Sequence, residues 1–199
     1  MTNAPACLTA TAQKALDKSG LTPQQKVEGL KDIIKDVGVA MLTTRSPDGK
    51  LASRPMAPAA IDGLVFSHYL NTDSGKTDDV QTDPHVNISF YNPKTTDWVS
   101  VSGQAKINTD REKVKKHWSK ALQAWFDKKD DVRNGTHTDP RVALLDVTPD
   151  EIRWFKAESS FKQFVEVTKA AVTGGVAATG TLVIISQDEV SDASDLLRP

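Results

Sequence analysis

The chain has 199 residues, of which 38% are hydrophobic and 26% charged, so it is long enough for one domain with a sizeable core. Its 25 basic and 26 acidic residues give a formal net charge of −1, which argues against a dedicated nucleic-acid-binding protein. The one cysteine, Cys7, cannot form an internal disulfide or a thiolate metal cluster. The apolar runs are too short to cross a membrane, and residues 1–20 lack the apolar core of a signal peptide, so we expect a cytoplasmic protein.

The N-terminal part of the sequence predicts a tail followed by one helix. Residues 1–21 contain no convincing helix start signal. Thr22 is a typical N-cap, since Pro23 follows it at the first helical position and Gln25 lies three residues on. Apolar residues then recur at helical spacing until Gly38, which can end the helix.

Short segments with alternating apolar residues predict an antiparallel β structure. The expected strands cover residues 39–44, 50–56, 64–69, 85–91, 98–108, 141–148 and 151–156. Turn residues separate several of them, among them Pro47-Asp48-Gly49, Asp62-Gly63 and Pro149-Asp150. A short helix is expected to start near Ser74. Runs of strands with few helices favour an antiparallel barrel or sandwich.

Two helices are predicted in the second half of the chain. Residues 109–127 begin with a capping box at Thr109 and carry an apolar stripe that includes Trp118 and Trp125, which predicts one long helix. Residues 159–172 predict a further helix, and a Gly/Ala/Thr linker and a last strand over residues 181–185 follow. We therefore expect a tail over residues 1–21, one domain over residues 22–157, and an extension over residues 158–199 that packs on the domain and has a flexible end.

Two local motifs are candidates for binding an anion. Arg54 lies on a strand beside Pro55 and Met56, and an edge strand with a surface arginine is the plainer interpretation. Ser74-Gly75-Lys76 would place a lysine and free backbone amides in the first turn of a helix, although such triplets are also common in ordinary turns.

The remaining candidate groups give weaker signals. The four histidines, at positions 68, 85, 117 and 137, have no carboxylate at ligand spacing, so ordinary packing or surface roles are expected and no metal site is predicted. The four tryptophans, at positions 98, 118, 125 and 154, indicate core packing, a dimer interface or stacking on a planar cofactor. No residue stands out as a general acid or base, so no catalytic residue is named.

The order of these motifs resembles a known family. Met41-Leu42-Thr43-Thr44 is followed by the Pro-Asp-Gly turn, Ser53-Arg54-Pro55-Met56, the Ser-x-Lys helix, Asp83-Pro84-His85-Val86-Asn87, Val99-Ser100-Val101-Ser102-Gly103, Asp110-Arg111-Glu112-Lys113, Trp118 and Ala124-Trp125-Phe126. This set, over residues 27–156, resembles the general-stress-protein branch of the pyridoxamine 5′-phosphate oxidase-like, FMN-binding split-barrel superfamily. The N-terminal helix and residues 167–185 are similar to the fungal blue-light-induced relatives.

The resemblance implies a mainly β fold with flanking helices, a split antiparallel β-barrel, and a homodimer with two FMN molecules in clefts at the subunit interface. Carried over by position, Arg54 and Lys76 would hold the phosphate, with Ser74 contributing a hydroxyl or amide. The backbone of Pro55, Met56 and Ala57 would lie against the flavin ring, Ser67 and His68 would line the cleft, and Trp98, Trp118 and Trp125 would lie near the ring.

Two departures bear on the expected function. Many relatives have an arginine where this chain has Gly75, and the C-terminus lacks the arginine and histidine with which the true oxidases grip their substrate. We therefore expect an FMN-binding flavoprotein of the general stress protein type, an oxidoreductase for an unidentified small molecule rather than a pyridoxamine phosphate oxidase. The alternatives are a non-catalytic protein that stores or senses FMN in stress or light responses, and a reductase that uses a deazaflavin or haem.

Overall fold

The computed structural model describes Asp17, residues 19–158, Thr168 and residues 179–196. Over these residues the helices are α1 (Pro23–Val37), α2 (Gly75–Thr82), α3 (Arg111–His117), α4 (Lys120–Gln123) and α5 (Gln187–Leu196). The strands are β1 (Ala40–Arg45), β2 (Leu51–Met56), β3 (Pro58–Asp62), β4 (Val65–Asn71), β5 (His85–Tyr91), β6 (Trp98–Asn108), β7 (Val142–Ala157) and β8 (Gly180–Ile185).

The sheet curls into a barrel because the strands at the two ends of its order, β2 and β3, follow each other directly in the chain. Neighbouring strands are antiparallel and follow the order β2-β1-β5-β6-β7-β4-β3, while β8 pairs with β7 beside this path. Only Ala57 separates β2 from β3, the strands at the two ends of the order. The two ends of the sheet must therefore lie close together, and the barrel is split beside Ala57. The expected split antiparallel barrel is confirmed.

The long strand β7 is continuous where the sequence predicted a turn. It has 16 residues, and its first half pairs with β4 while its second half pairs with β8. The turn at Pro149-Asp150 was wrong because β6 accommodates these residues by a register shift between Ser102 and Gly103. Gly103 is required there, since a Cβ atom would lie 2.3 Å from the carbonyl oxygen of Thr148.

Helix α1 covers one side of the core, and its predicted start is confirmed. The Thr22 hydroxyl accepts from the amide of Gln25, whose side chain accepts from the Thr22 amide in return. Apolar residues on one face of α1 are buried in the main core with residues of the barrel interior. The buried ammonium of Lys26 donates to the carbonyl of Ile184 at 2.9 Å and pairs with Glu189 at 2.8 Å, which ties α1 to β8 and α5.

The single long helix predicted over residues 109–127 was wrong. The segment forms the short helices α3 and α4, and Asp110 rather than Thr109 is the N-cap, accepting from the amides of Glu112 and Lys113. The break lies at Trp118, whose backbone is extended with ψ 140°. The indole nitrogen of Trp118 donates to the carbonyl of Gly135 at 3.1 Å, a tertiary contact that accompanies this turn away from the helix axis.

Three other predictions can be compared with the structure. The short helix after Ser74 is confirmed as α2, and the last strand is confirmed as β8. Strand β3 and helix α5 were not predicted. The predicted tail, the helix over residues 159–172 and most of the linker after it lie outside the described residues.

Candidate functional site

A cleft of about 630 Å³ opens beside the split of the barrel, within the size range of small-molecule pockets. The bend between β2 and β3 forms one wall, and the segment that contains α4 forms another. Six of the residues singled out from the sequence line it: Arg54, Pro55, Met56, Ala57, Lys76 and Trp125. The fold thus brings both candidate anion-binding motifs, from β2 and from the start of α2, to one cavity.

Arg54 is held in place from inside the barrel. Its Nη1 donates to the Thr44 hydroxyl at 2.7 Å, and its Nη2 lies 3.4 Å from Oδ2 of Asp79. Thr44 in turn donates to the same Asp79 oxygen at 2.6 Å. Because Asp79 and Thr44 are buried, this network fixes the guanidinium at the edge of the cleft.

Lys76 is the second cation of the cleft and is half-buried. Burial, and then the positive charge of Arg54, lower the pKa of its ammonium group. Among the described residues, no carboxylate forms an ion pair with Lys76. An anion between Lys76 and Arg54 would relieve the repulsion between them.

Ser74 immediately precedes α2, and its side chain is a second unpaired polar group near Lys76. Its Oγ atom is buried without a hydrogen-bond partner in the described part of the chain, and it does not cap the helix. The first backbone amides of a helix also have no acceptor within the helix. Ser74, which the sequence placed at the phosphate, is not among the residues that line the cleft. The Lys76 ammonium group and the Arg54 guanidinium are the cations of the cleft that fit a phosphate group.

The rest of the cleft is mainly apolar. Met56, Pro58, Ala59, Leu122 and Phe126 contribute to its lining. The indole of Trp125 also lines the cleft, yet 83% of this residue is exposed to solvent. An apolar cavity with an exposed aromatic ring at its edge is suited to a planar ring that carries a polar chain.

Ser67 and His68 do not line the cleft, although the sequence placed them there. Ser67 is buried and donates to Oδ1 of Asp146 at 2.6 Å. His68 is fully buried in the barrel, where Nδ1 lies 3.3 Å from the carbonyl oxygen of Ala57. Burial lowers the pKa of His68 to about 4, so the ring is neutral at physiological pH. His68 is therefore only indirectly related to the cleft: its ring approaches the carbonyl of Ala57, and Ala57 lines the cleft.

Trp98 and Trp118 also lie outside the cleft of this chain. Trp98 stacks on Phe155, with ring centroids 6.2 Å apart and an interplanar angle of 14°. Trp118 contacts the ring of His137 and donates to the carbonyl of Gly135. Both tryptophans thus have packing roles within one subunit.

Four polar residues of the cleft were missed as site residues in the sequence. Tyr69, Asn71, His117 and Ser119 line it, and no motif marks any of them. The hydroxyl of Tyr69 donates to the carbonyl of Val114 at 3.0 Å, and burial raises the pKa of Tyr69 to about 12, so it is protonated at neutral pH. Nε2 of His117 is buried without a hydrogen-bond partner among the described residues.

Sequence comparisons establish the family. A family model described as pyridoxamine 5′-phosphate oxidase like matches residues 25–177, which is well over half of the chain. The chain belongs to the pyridoxamine 5′-phosphate oxidase-like family. Its sequence is 40% identical over 171 residues to Protein bli-3 of Neurospora crassa, covering 83% of this chain and 82% of that protein. It is 32% identical over 99 residues to General stress protein 26 of Bacillus subtilis, covering 48% of this chain and 65% of that protein.

Solved structures agree with membership of this oxidase-like family. General Stress Protein 26 from Bacillus anthracis aligns with a TM-score of 0.55 and 25% identity, covering 64% of this chain and 91% of that one. A pyridoxamine 5′-phosphate oxidase-related, FMN binding protein from Nostoc punctiforme aligns with a TM-score of 0.56 and 17% identity. The alignment covers 69% of this chain and 86% of that one. At that identity the second likeness shows the fold alone. The resemblance predicted from the motifs is confirmed.

Two other properties concern the described residues as a whole. Their His, Cys, Asp and Glu side chains form no group of three or more that could hold a metal ion. None of their helices combines the length and hydropathy that a membrane span needs.

Proposed function

We propose that this member of the pyridoxamine 5′-phosphate oxidase-like family is a flavoprotein that binds FMN in the cleft beside Ala57. Arg54 and Lys76 bind the phosphate. The flavin ring lies against residues 56–59 and the apolar side chains of the α4 segment. The observation that carries the proposal is the half-buried Lys76, next to Arg54 and without an acidic partner among the described residues.

Charge balance supports a phosphate at this place. Asp79 is the carboxylate that contacts Arg54, and it neutralises one of the two cations. The second positive charge, on Lys76, is left in a partly buried position where an unpaired charge is unfavourable. A phosphate monoester carries a charge of about −1.5 to −2 at neutral pH, so it would offset this charge.

FMN would supply the redox chemistry, and the protein would orient the ring and control access to it. We infer an oxidoreductase that exchanges electrons between FMN and a small molecule. Steady-state reduction of the flavin by reduced pyridine nucleotides, followed by its reoxidation by quinones or oxygen, tests this role. A protein that binds FMN and turns over none of them would instead store or sense the flavin.

We also propose that the protein is a homodimer whose second subunit covers the cleft. Met41 on β1 and Pro55 on β2 are paired, and both are exposed, as are Leu51 and the indole of Trp125. Pro55 and Trp125 line the cleft, so a subunit that covered this apolar surface would also close over the ligand. Sedimentation at micromolar concentration should give a dimer, and a monomer with flavin still bound would contradict this proposal.

The phosphate site is tested by comparing two ligands that differ only in the phosphate. Lys76→Ala should weaken FMN binding about 10- to 150-fold, because a charge-assisted hydrogen bond contributes about 1.5–3 kcal/mol. Riboflavin, which has no phosphate, should bind the variant and the wild type almost equally. Lys31→Ala removes an exposed lysine of α1 and is the matched control.

The outcomes of this comparison separate the parts of the proposal. Equal losses of FMN and riboflavin affinity in Lys76→Ala would mean that the phosphate lies elsewhere. A wild-type protein that binds neither flavin, as measured by quenching of flavin fluorescence, would overturn the proposed function itself.

A further inference from the structure

Thr44, on β1, joins the two oppositely charged residues beside the proposed phosphate site. Its hydroxyl oxygen lies 2.7 Å from Nη1 of Arg54 and 2.6 Å from Oδ2 of Asp79. A guanidinium can only donate and a carboxylate can only accept, so the hydroxyl accepts from Arg54 and donates its one hydrogen to Asp79. The direction of both hydrogen bonds is therefore fixed by the chemistry of the two partners.

The hydroxyl separates Arg54 from a full ion pair with Asp79. Nη2 of Arg54 lies 3.4 Å from Oδ2 of Asp79, whereas a close charge-assisted pair has a distance of about 2.7–2.9 Å. Thr44 and Asp79 are buried, with 1% and 6% of each residue exposed. The side chain of Arg54 is 27% exposed and lines the cleft. The carboxylate and the hydroxyl thus hold the guanidinium from its buried side.

This arrangement leaves Arg54 with donors for a ligand. A guanidinium has five N–H groups, and in the described part of the chain one on Nη1 and one on Nη2 have acceptors. The others are available to an anion in the cleft. A direct bidentate pair with Asp79 would draw the guanidinium towards α2 and offset more of the positive charge that also acts on Lys76.

We propose that Thr44 is a positioning residue of the phosphate site, whose hydroxyl keeps Arg54 from closing on Asp79 and so reserves the guanidinium for the ligand's phosphate. The inference rests on the proposed function, because it concerns how Arg54 is kept ready for FMN. It also assigns Asp79 a second role. The carboxylate competes with the ligand for Arg54, and Thr44 limits that competition.

The first test removes the hydroxyl and keeps the shape of the side chain. Thr44→Val should weaken FMN binding about three- to tenfold, since Arg54 turns towards Asp79 and loses much of its contact with the phosphate. Riboflavin should bind the variant and the wild type almost equally. Thr44→Ser keeps the hydroxyl and should recover most of the lost FMN affinity. Thr148→Val, at an exposed threonine of β7 outside the cleft, is the matched control.

Double variants show whether Thr44 acts through Arg54 and Asp79. In an Arg54→Ala background, Thr44→Val should cause no further loss of FMN affinity. In an Asp79→Asn background it should cause a smaller loss than in the wild type, because the carboxylate that would capture Arg54 is gone. Asp79→Asn alone should bind FMN at least as tightly as the wild type does.

Each outcome has a separate meaning. A folded Thr44→Val that binds FMN as the wild type does, or loses FMN and riboflavin equally, would overturn the role of Thr44 and leave the proposed function intact. A folded Asp79→Asn with weaker FMN binding would overturn it too, even if Thr44→Val did not fold. Failure of the wild type to bind any flavin would overturn the proposed function and this inference with it.

Discussion

Nδ1 of His68 lies 3.3 Å from the carbonyl oxygen of Ala57, the residue that joins the two ends of the barrel sheet. The ring of His68 is fully buried, and burial lowers its pKa to about 4. The neutral ring can donate its Nδ1 hydrogen to the carbonyl of Ala57, and this hydrogen bond would fix the connection between β2 and β3 from inside the barrel. The core thereby fixes the backbone that forms one wall of the cleft.

We predict that His68 makes the stability of the protein depend on pH between about 6.5 and 4. An unfolded histidine titrates near 6.5, and folded His68 titrates near 4, so protons bind the unfolded chain more readily in this window. The contribution of neutral His68 to the free energy of unfolding is fully present above about pH 6.5 and is lost as the pH falls towards about 4. At pH 5 the loss should be about 2 kcal/mol.

Urea unfolding at pH 7.5 and pH 5 measures this effect. His68→Asn keeps a donor near the position of Nδ1 but cannot titrate, so its stability should change less between the two pH values. His85→Asn, at an exposed position, should retain the wild-type loss. A His68→Asn protein with the full wild-type pH dependence would contradict the prediction.

Asp139 should be essential for the loop that follows α4. Its carboxylate is buried and accepts from the side chain of Arg141 at 2.9 Å and from the amide of Gly135 at 2.7 Å. Burial alone would raise its pKa, but these hydrogen bonds outweigh it and lower the pKa of Asp139 to about 2. Its ionisation therefore stabilises the fold above about pH 4, and this contribution, about 1–2 kcal/mol after solvent screening, is lost as the pH falls towards 2.

Asp139→Asn should lower the free energy of unfolding by about 2–4 kcal/mol at pH 7, because Arg141 is also buried and would lose a charged partner. It should also weaken flavin binding, since Arg141 lies 5.9 Å from the centre of the Phe126 ring in the cleft wall. Thermal denaturation measures the first effect. Asp131→Asn, at a fully exposed carboxylate of the same loop, is the control and should leave both properties unchanged.

Much of this architecture could be predicted from the sequence because it depends on local patterns. The capping box at Thr22 and the alternation along most strands require only neighbouring residues. The break between α3 and α4 could not be predicted in this way. The apolar stripe continues through Trp118, but its indole nitrogen finds its acceptor at Gly135, 17 residues later.

The residues of the candidate site also divide into those that local motifs could predict and those that only the tertiary fold brings to the cleft. Arg54 and Lys76 could be found from their motifs, since each lies in an unusual local setting. His117 could not, because Asp62 and the cleft reach it only through the tertiary fold. Strand β3 was missed because residues 58–62 show no alternation of buried and exposed positions.

We predict that Gly29→Ala destabilises the protein although Gly29 lies within α1. Alanine normally stabilises a helix interior relative to glycine by about 0.5–1 kcal/mol. A Cβ atom at Gly29 would lie 2.7 Å from the ring of Trp154, whose indole nitrogen donates to Lys26 on the same helix. Because this ring is buried and cannot move freely, the net loss should be about 1–3 kcal/mol.

Gly75→Ala is the control for this substitution, since no atom would lie within 4 Å of its Cβ. Its free energy of unfolding should equal or exceed that of the wild type. Urea unfolding compares the two variants, and a Gly29→Ala protein as stable as the wild type would show that Trp154 can move aside.

Gly75→Arg should strengthen FMN binding without affecting riboflavin. The side chain has room at the start of α2, beside Lys76, and would add a second cation there. We expect a three- to tenfold lower Kd for FMN, which is less than a shielded charge-assisted hydrogen bond contributes, because the position is exposed to solvent. Gln81→Arg adds the same charge at an exposed position near the other end of α2 and should leave both affinities unchanged.

The pairing of β8 with β7 covers the backbone edge of the second half of β7. Without β8, the backbone groups of residues 152–157 would form an open strand edge, and such edges readily pair with other chains. Loss of the same segment would remove the carbonyl of Ile184 and the carboxylate of Glu189 from Lys26, leaving that buried ammonium group with Asp17 alone among its described partners. A proteolytic cut between β7 and β8 that released the C-terminal piece would therefore move the open edge of the sheet from β8 to the longer strand β7 and would also remove two partners of the buried Lys26 ammonium group.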